Sequence, residues 1–97
     1  MIQTFAHNSL EDFFFNDKTP KGVGWLSVKK IVRRKLQAVD AAVVVSDLKA
    51  PPGNRLEALK GDWSGYYSVR INDQWRIVFK WNDGDTGPSD VDVVDYH

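Results

Sequence analysis

Lys60, Arg70 and Arg76, together with the closing Tyr96-His97, are the residues of this 97-residue chain whose types and spacing can do chemistry. Guanidinium and ammonium groups stabilise charge that builds on phosphoryl oxygens. Imidazole, with a reference pKa of about 6.5, gives or takes a proton near neutrality. A tyrosine ring can stack on an unpaired base or donate a hydrogen bond to it. These are the needs of metal-free RNA cleavage, in which a ribose 2′-OH attacks the adjacent phosphorus while protons leave one oxygen and reach another. The same residues have a plainer reading, with strand arginines simply solvated and a C-terminal Tyr-His pair frayed.

Other chemistries are excluded more firmly. Cysteine is absent, which removes a disulfide framework, a thiolate metal site and a cysteine nucleophile, and makes a reducing cytoplasm the expected compartment. His7 and His97 are the only histidines, which leaves no His-rich metal spacing and no plausible Ser-His-Asp set, and no Gly-rich phosphate loop occurs. Asp83, Asp85, Asp90 and Asp92 lack the ordered spacing and terminal glutamate of a calcium loop, so neither a metal nor a cofactor is expected. With 42% hydrophobic and 27% charged residues, the chain reads as one domain over residues 1–97. The first fifteen residues are too acidic and too briefly apolar for a signal peptide, and nothing later reads as a membrane span. The net charge of +0 hides a basic stretch from Lys18 to Lys35 and a purely acidic one from Asn82 to Asp95. Nucleic acid can therefore bind only through a local patch.

The elements that must position these residues follow from periodicity. From Tyr66 to Trp81, apolar and polar residues alternate, which predicts antiparallel strands with Val69, Ile71, Ile77, Phe79 and Trp81 on a buried face and Arg70, Arg76 and Lys80 on an open one. Lys60-Gly61-Asp62 and Asn72-Asp73 supply the turns. Residues 91–97 read as the last strand, and Met1 to Ala6 as a short edge strand. A first helix is expected after Asn8 or Ser9, with Ser9-x-x-Asp12 resembling a capping box, and it stops before Pro20. A second runs from about Gly24 or Trp25 to Asp40, with Val28, Val32, Leu36 and Val39 on its apolar stripe. Lys29, Lys30, Arg33, Arg34 and Lys35 belong to its basic run, either a solvated face or a contact surface for RNA phosphates or an acidic partner. Residues 41–45 extend the helix or turn to strand. The fold class is α+β: two N-terminal helices packed on a small antiparallel sheet.

The segment PPGNRLEALKGDWSGYYSVRINDQWRIVFKW, followed by VDVVDYH at the end, resembles the HigB-type toxins of the RelE superfamily. The leading F-x-H-x-x-L and the basic second helix extend the likeness over the whole chain. The resemblance implies a RelE-like fold, similar to small microbial ribonucleases, and a ribosome-dependent endoribonuclease that cuts messenger RNA in the ribosomal A site. It also implies neutralisation by a cognate helix-turn-helix antitoxin, with operator DNA contacted only through that antitoxin.

By position, Lys60 matches the family's basic residue before Gly-Asp, Arg76 its phosphate-binding arginine, and Asp95, Tyr96 and His97 its terminal motif. Arg70 and Arg76 are then expected to grip the scissile phosphate, and Lys60 to stabilise its charge or help activate the 2′-OH. His97 donates or accepts a proton, Asp95 orients the site and Tyr96 positions a base. Lys29, Lys30, Arg33, Arg34, Lys35, Arg55 and Lys80 form the expected RNA and ribosome surface. Two positions depart from the pattern: Asn72 stands where some members carry arginine, and Glu57 where some carry histidine. Those departures favour a competing reading, a toxin-like module that acts only as an antitoxin co-repressor, and the zero net charge favours a second, an interaction domain with no RNA role.

Overall fold

The computed structural model describes residues 1–96, so expectations for His97 lie outside the described residues. Two helices, α1 (Asn8–Asn16) and α2 (Lys29–Ala41), precede four strands: β1 (Glu57–Ala58), β2 (Tyr66–Arg70), β3 (Trp75–Lys80) and β4 (Ser89–Asp95). The strands lie in the order β1-β2-β3-β4, every pair antiparallel, which gives the expected α+β class. Residues 3–6 run parallel to β4 through a Phe5–Val91 bridge, with Ala6 N–H donating to Val91 O at 2.9 Å.

The two periodicities decide which faces meet. Val32, Leu36 and Val39 of α2 and Leu10 and Phe13 of α1 are buried with Val69, Ile77, Phe79, Val91 and Val93 of the sheet and Ile71 just past β2. Both helices thus cover one sheet face, and Arg70, Arg76 and Lys80 project from the other. The alternation read from Tyr66 to Trp81 therefore holds through β2 and β3.

Both helix starts differ from expectation. His7 occupies the N-cap of α1 in an extended conformation, without a side-chain capping bond, and its carbonyl accepts the Leu10 and Glu11 amides. Pairing with β4 keeps residues 3–6 straight up to that point, so the helix begins before Ser9 can cap it, and the Asp12 carboxylate accepts instead from Asn16 Nδ2 at 3.3 Å. Residues 26–28 form a 3₁₀ turn ahead of α2, because Trp25 is buried edge-on against Phe13, with ring centroids 5.0 Å apart. Gly24 is required there: a Cβ would sit 2.6 Å from the Trp75 ring. Ala41 ends α2, and residues 42–44 continue neither as helix nor as ladder; Val43 and Val44 are exposed, and a 3₁₀ turn follows over Val45–Lys49.

Two of the α2 cations are used within the fold. Arg33 donates to Phe13 O at 3.0 Å, pairs with Asp17 and places its guanidinium 4.2 Å from the Phe13 ring centroid, fastening α2 to α1. Lys35 donates to Oδ1 of the buried Asn54, whose amide holds Leu48 O at 3.2 Å and Ala50 O at 3.1 Å. Burial, and then the charge of Arg34, push the Lys35 ammonium below its ordinary range. Lys35→Met leaves Asn54 Oδ1 buried without its donor, so stability should fall by about 1–3 kcal/mol, read as a lower midpoint in urea.

Candidate active site

The open face is organised in rows set by strand register. Arg70 lies opposite Arg76, and Ser68 opposite both Glu57 and Val78, so Arg76 stands one row from Glu57 and reaches it diagonally past Ser68. Arg76 Nη1 donates to Ser68 Oγ at 3.2 Å and stands 3.7 Å from Glu57 Oε1. Its guanidinium lies 5.6 Å from the Tyr96 ring centroid, because Tyr96 N–H donates to Gln74 O and continues the β3–β4 pairing past Asp95. Only 20% of the Arg76 side chain is exposed. A cation so shielded acts on a bound anion through less water than a free surface arginine does.

Asn72 has a structural task here. Its Oδ1 accepts the amides of Gln74 at 2.9 Å and Trp75 at 2.7 Å, closing the β2–β3 turn that sets Arg70 beside Arg76. Arg70 itself pairs with Asp73 across that turn. The hydrogen bond and charge from Arg70 hold the Asp73 carboxyl below its ordinary range, and Arg55 adds to the effect. Arg55, exposed in a left-handed conformation, therefore contributes its charge to the same end of the sheet as Arg70.

Of the remaining expected residues, Asp95 borders this group and the others fall elsewhere on the molecule. Asp95 Oδ2 accepts from Gln74 Nε2 at 3.0 Å beside Tyr96. Lys60 is exposed at the opposite end of β2, since Leu59 N–H donates to Tyr66 O, and Lys80 pairs with Asp90 at 3.6 Å in that same region. Lys29, Lys30 and Arg34 are exposed on the side of α2 turned away from the sheet, so they cannot share one ligand group with Arg76. In the sequence Glu57 stands out only as a departure from the family's pattern. β1 is two residues long and has no alternation of its own, so nothing short of register could place Glu57 against Arg76.

Residues 3–97 match the family described as RelE-like toxin of the type II toxin-antitoxin system HigB. The chain belongs to the HigB-like toxin family. Among similar family proteins, Toxin HigB-1 of Vibrio cholerae is 42% identical over 84 residues, 87% of each chain. Endoribonuclease HigB of Proteus vulgaris is 35% identical over 97 residues, the whole of both chains. The fold also resembles the toxin in the YoeB-YefM complex from Staphylococcus aureus, with TM-score 0.58 and 25% identity over 100% of this chain and 95% of that one. Among the described residues, no helix of this HigB-like chain is long and apolar enough to cross a membrane.

Proposed function

We propose that this HigB-like toxin is a ribosome-dependent messenger-RNA endoribonuclease, acting without a metal and neutralised by a cognate helix-turn-helix antitoxin that alone contacts operator DNA. The observation that carries this reading is the shielded Arg76 guanidinium, set beside Arg70 and flanked by Glu57, Ser68 and the Tyr96 ring.

Arg76 and Arg70 hold the non-bridging oxygens of the scissile phosphate and offset the charge that grows there in the transition state. Glu57 is the described Brønsted base beside that guanidinium, and it takes the 2′-OH proton as the 2′ oxygen bonds to phosphorus. The bond from phosphorus to the 5′ oxygen breaks. His97 returns a proton to that oxygen, leaving a 2′,3′-cyclic phosphate on one fragment and a 5′-hydroxyl on the other. Tyr96 stacks on the base at the cut, and Asp95 orients the chain end. Lys60 and Lys80, at the far end of the open face, serve adjoining backbone phosphates.

A domain with so few acid–base groups gains from a substrate already aligned, and orientation is worth several kcal/mol, up to about 7–11. The exposed Lys29, Lys30 and Arg34 give the toxin a second cationic side for ribosomal RNA while the open face holds the message. The test is cleavage of a short message bound to purified ribosomes and of the same message alone. Cleavage only on ribosomes is expected. Lys30→Glu with Arg34→Glu should weaken ribosome association, most sharply at moderate salt, without lowering the melting temperature. Efficient cutting of the free message, or unchanged ribosome association by the double variant, would contradict the ribosome-docking part of this reading.

A further inference from the structure

We infer that Trp63 and Tyr66, with Lys80, form a separate subsite for an unstacked RNA base, displaced along the open face from the site of cleavage. The inference rests on the open face being the RNA-binding face, and it adds a place where a flanking nucleotide is held.

Strand alternation puts Tyr66 on the same face as Ser68 and Arg70, and register puts Lys80 directly opposite Tyr66. The row of Tyr66 and Lys80 lies four residues along both strands from the row of Arg70 and Arg76, about 13 Å at strand rise. A base held at one row therefore cannot be the nucleotide whose phosphate is held at the other. Trp63 reaches this row from the 3₁₀ turn Gly61–Trp63, whose amide of Trp63 bonds Lys60 O. Its ring stands at 90° to that of Tyr66, with centroids 5.0 Å apart. Two perpendicular rings make a corner in which a base stacks on one and turns its edge to the other. Lys80 Nζ lies 5.2 Å from the Tyr66 centroid and 3.6 Å from Asp90 Oδ2, so the ammonium stands at the corner between a ring and a carboxylate. The Asp90 backbone is anchored by its amide donating to Thr4 Oγ1 at 2.8 Å, and Thr4 Oγ1 lies 3.4 Å from Asp90 Oδ1.

Trp63 and Tyr66 are half-buried, and both lie outside the main apolar core that the helices cover. A hydrophobic task in that core therefore does not account for them. An aromatic corner with a cation beside it suits a nucleobase and its phosphate, and such stacking tolerates any base.

The test is binding of a fluorescently labelled 2′-O-methyl RNA hexamer, which resists cleavage, and of six versions each lacking one base. At one position, loss of the base should weaken binding to the wild-type protein roughly 5- to 100-fold. Trp63→Leu should bind the intact hexamer as weakly as wild type binds that abasic version, and show almost no further loss with it, whereas Trp63→Phe should recover much of the difference. Equal abasic losses in wild type and Trp63→Leu at every position would overturn the subsite, as would the absence of any abasic loss in wild type. Because the hexamer is never cut, failure of the cleavage mechanism leaves this readout intact, and failure of the subsite leaves ribosome-dependent cleavage intact.

Discussion

Arg76→Ala should lower ribosome-dependent cleavage by about 10²–10³-fold, the scale on which loss of one fixed transition-state donor is felt. The expectation comes from the burial of this guanidinium and from its neighbours. Ser68 Oγ, Glu57 and the Tyr96 ring hold it in one place, so little reorganisation is needed when charge develops on a bound phosphate. Arg70 occupies the facing position but is paired with Asp73, whose side chain is 99% exposed, so Arg70→Ala should cost less. The alanine variant also leaves buried Ser68 without its donor, at about 1–3 kcal/mol of stability. Arg76→Gln separates the two effects, since it keeps a donor and loses the charge: cleavage should be as low as in the alanine variant while the melting temperature stays near wild type. Growth arrest on induction that both substitutions abolish is the result expected of an enzyme, and the absence of any growth arrest by the wild-type protein would favour the co-repressor reading.

His97→Ala should cost about 10²–10⁴-fold, the usual contribution of a placed general acid. The argument is one of supply. Among the described residues the one imidazole is that of His7, whose backbone holds the N-cap position of α1 and whose Nε2 lies 3.4 Å from Asp92 Oδ2 of β4. The open face contributes guanidinium, ammonium, carboxylate and phenol groups, and of these none donates a proton as readily near neutrality as imidazole does. The wild-type rate should therefore fall as pH rises and the general acid loses its proton, a limb that His97→Ala lacks. A tag appended after His97 should weaken toxicity as well, and undiminished growth arrest by a C-terminally tagged protein would count against the role.

What the sequence disclosed depended on whether a residue's task is local. The alternation through Val69, Ile71, Ile77 and Phe79 assigned faces correctly because strand periodicity is a property of neighbours, and the stripe of Val32, Leu36 and Val39 did the same for α2. The uses of the α2 cations were not legible. Helical position made Arg33 and Lys35 part of a basic run, yet their partners, Phe13 and Asp17 for one and Asn54 for the other, are some twenty residues away in the chain. The tasks of Asn72 and Glu57 were hidden for the same reason. As isolated letters they were missing cations or histidines; in register, Asn72 builds the turn that pairs Arg70 with Arg76, and Glu57 stands against Arg76 diagonally past Ser68.

The central claim is that the message lies on the open sheet face while α2 meets the ribosome on the other side. A ribosome-bound message carrying 4-thiouridine at the cut codon and a 2′-deoxyribose at the attacking position can be held uncut and photo-crosslinked to the toxin. Crosslinked peptides should map to residues 66–80 and 94–96 of the open face. Crosslinks confined to residues 29–37 of α2 would contradict it.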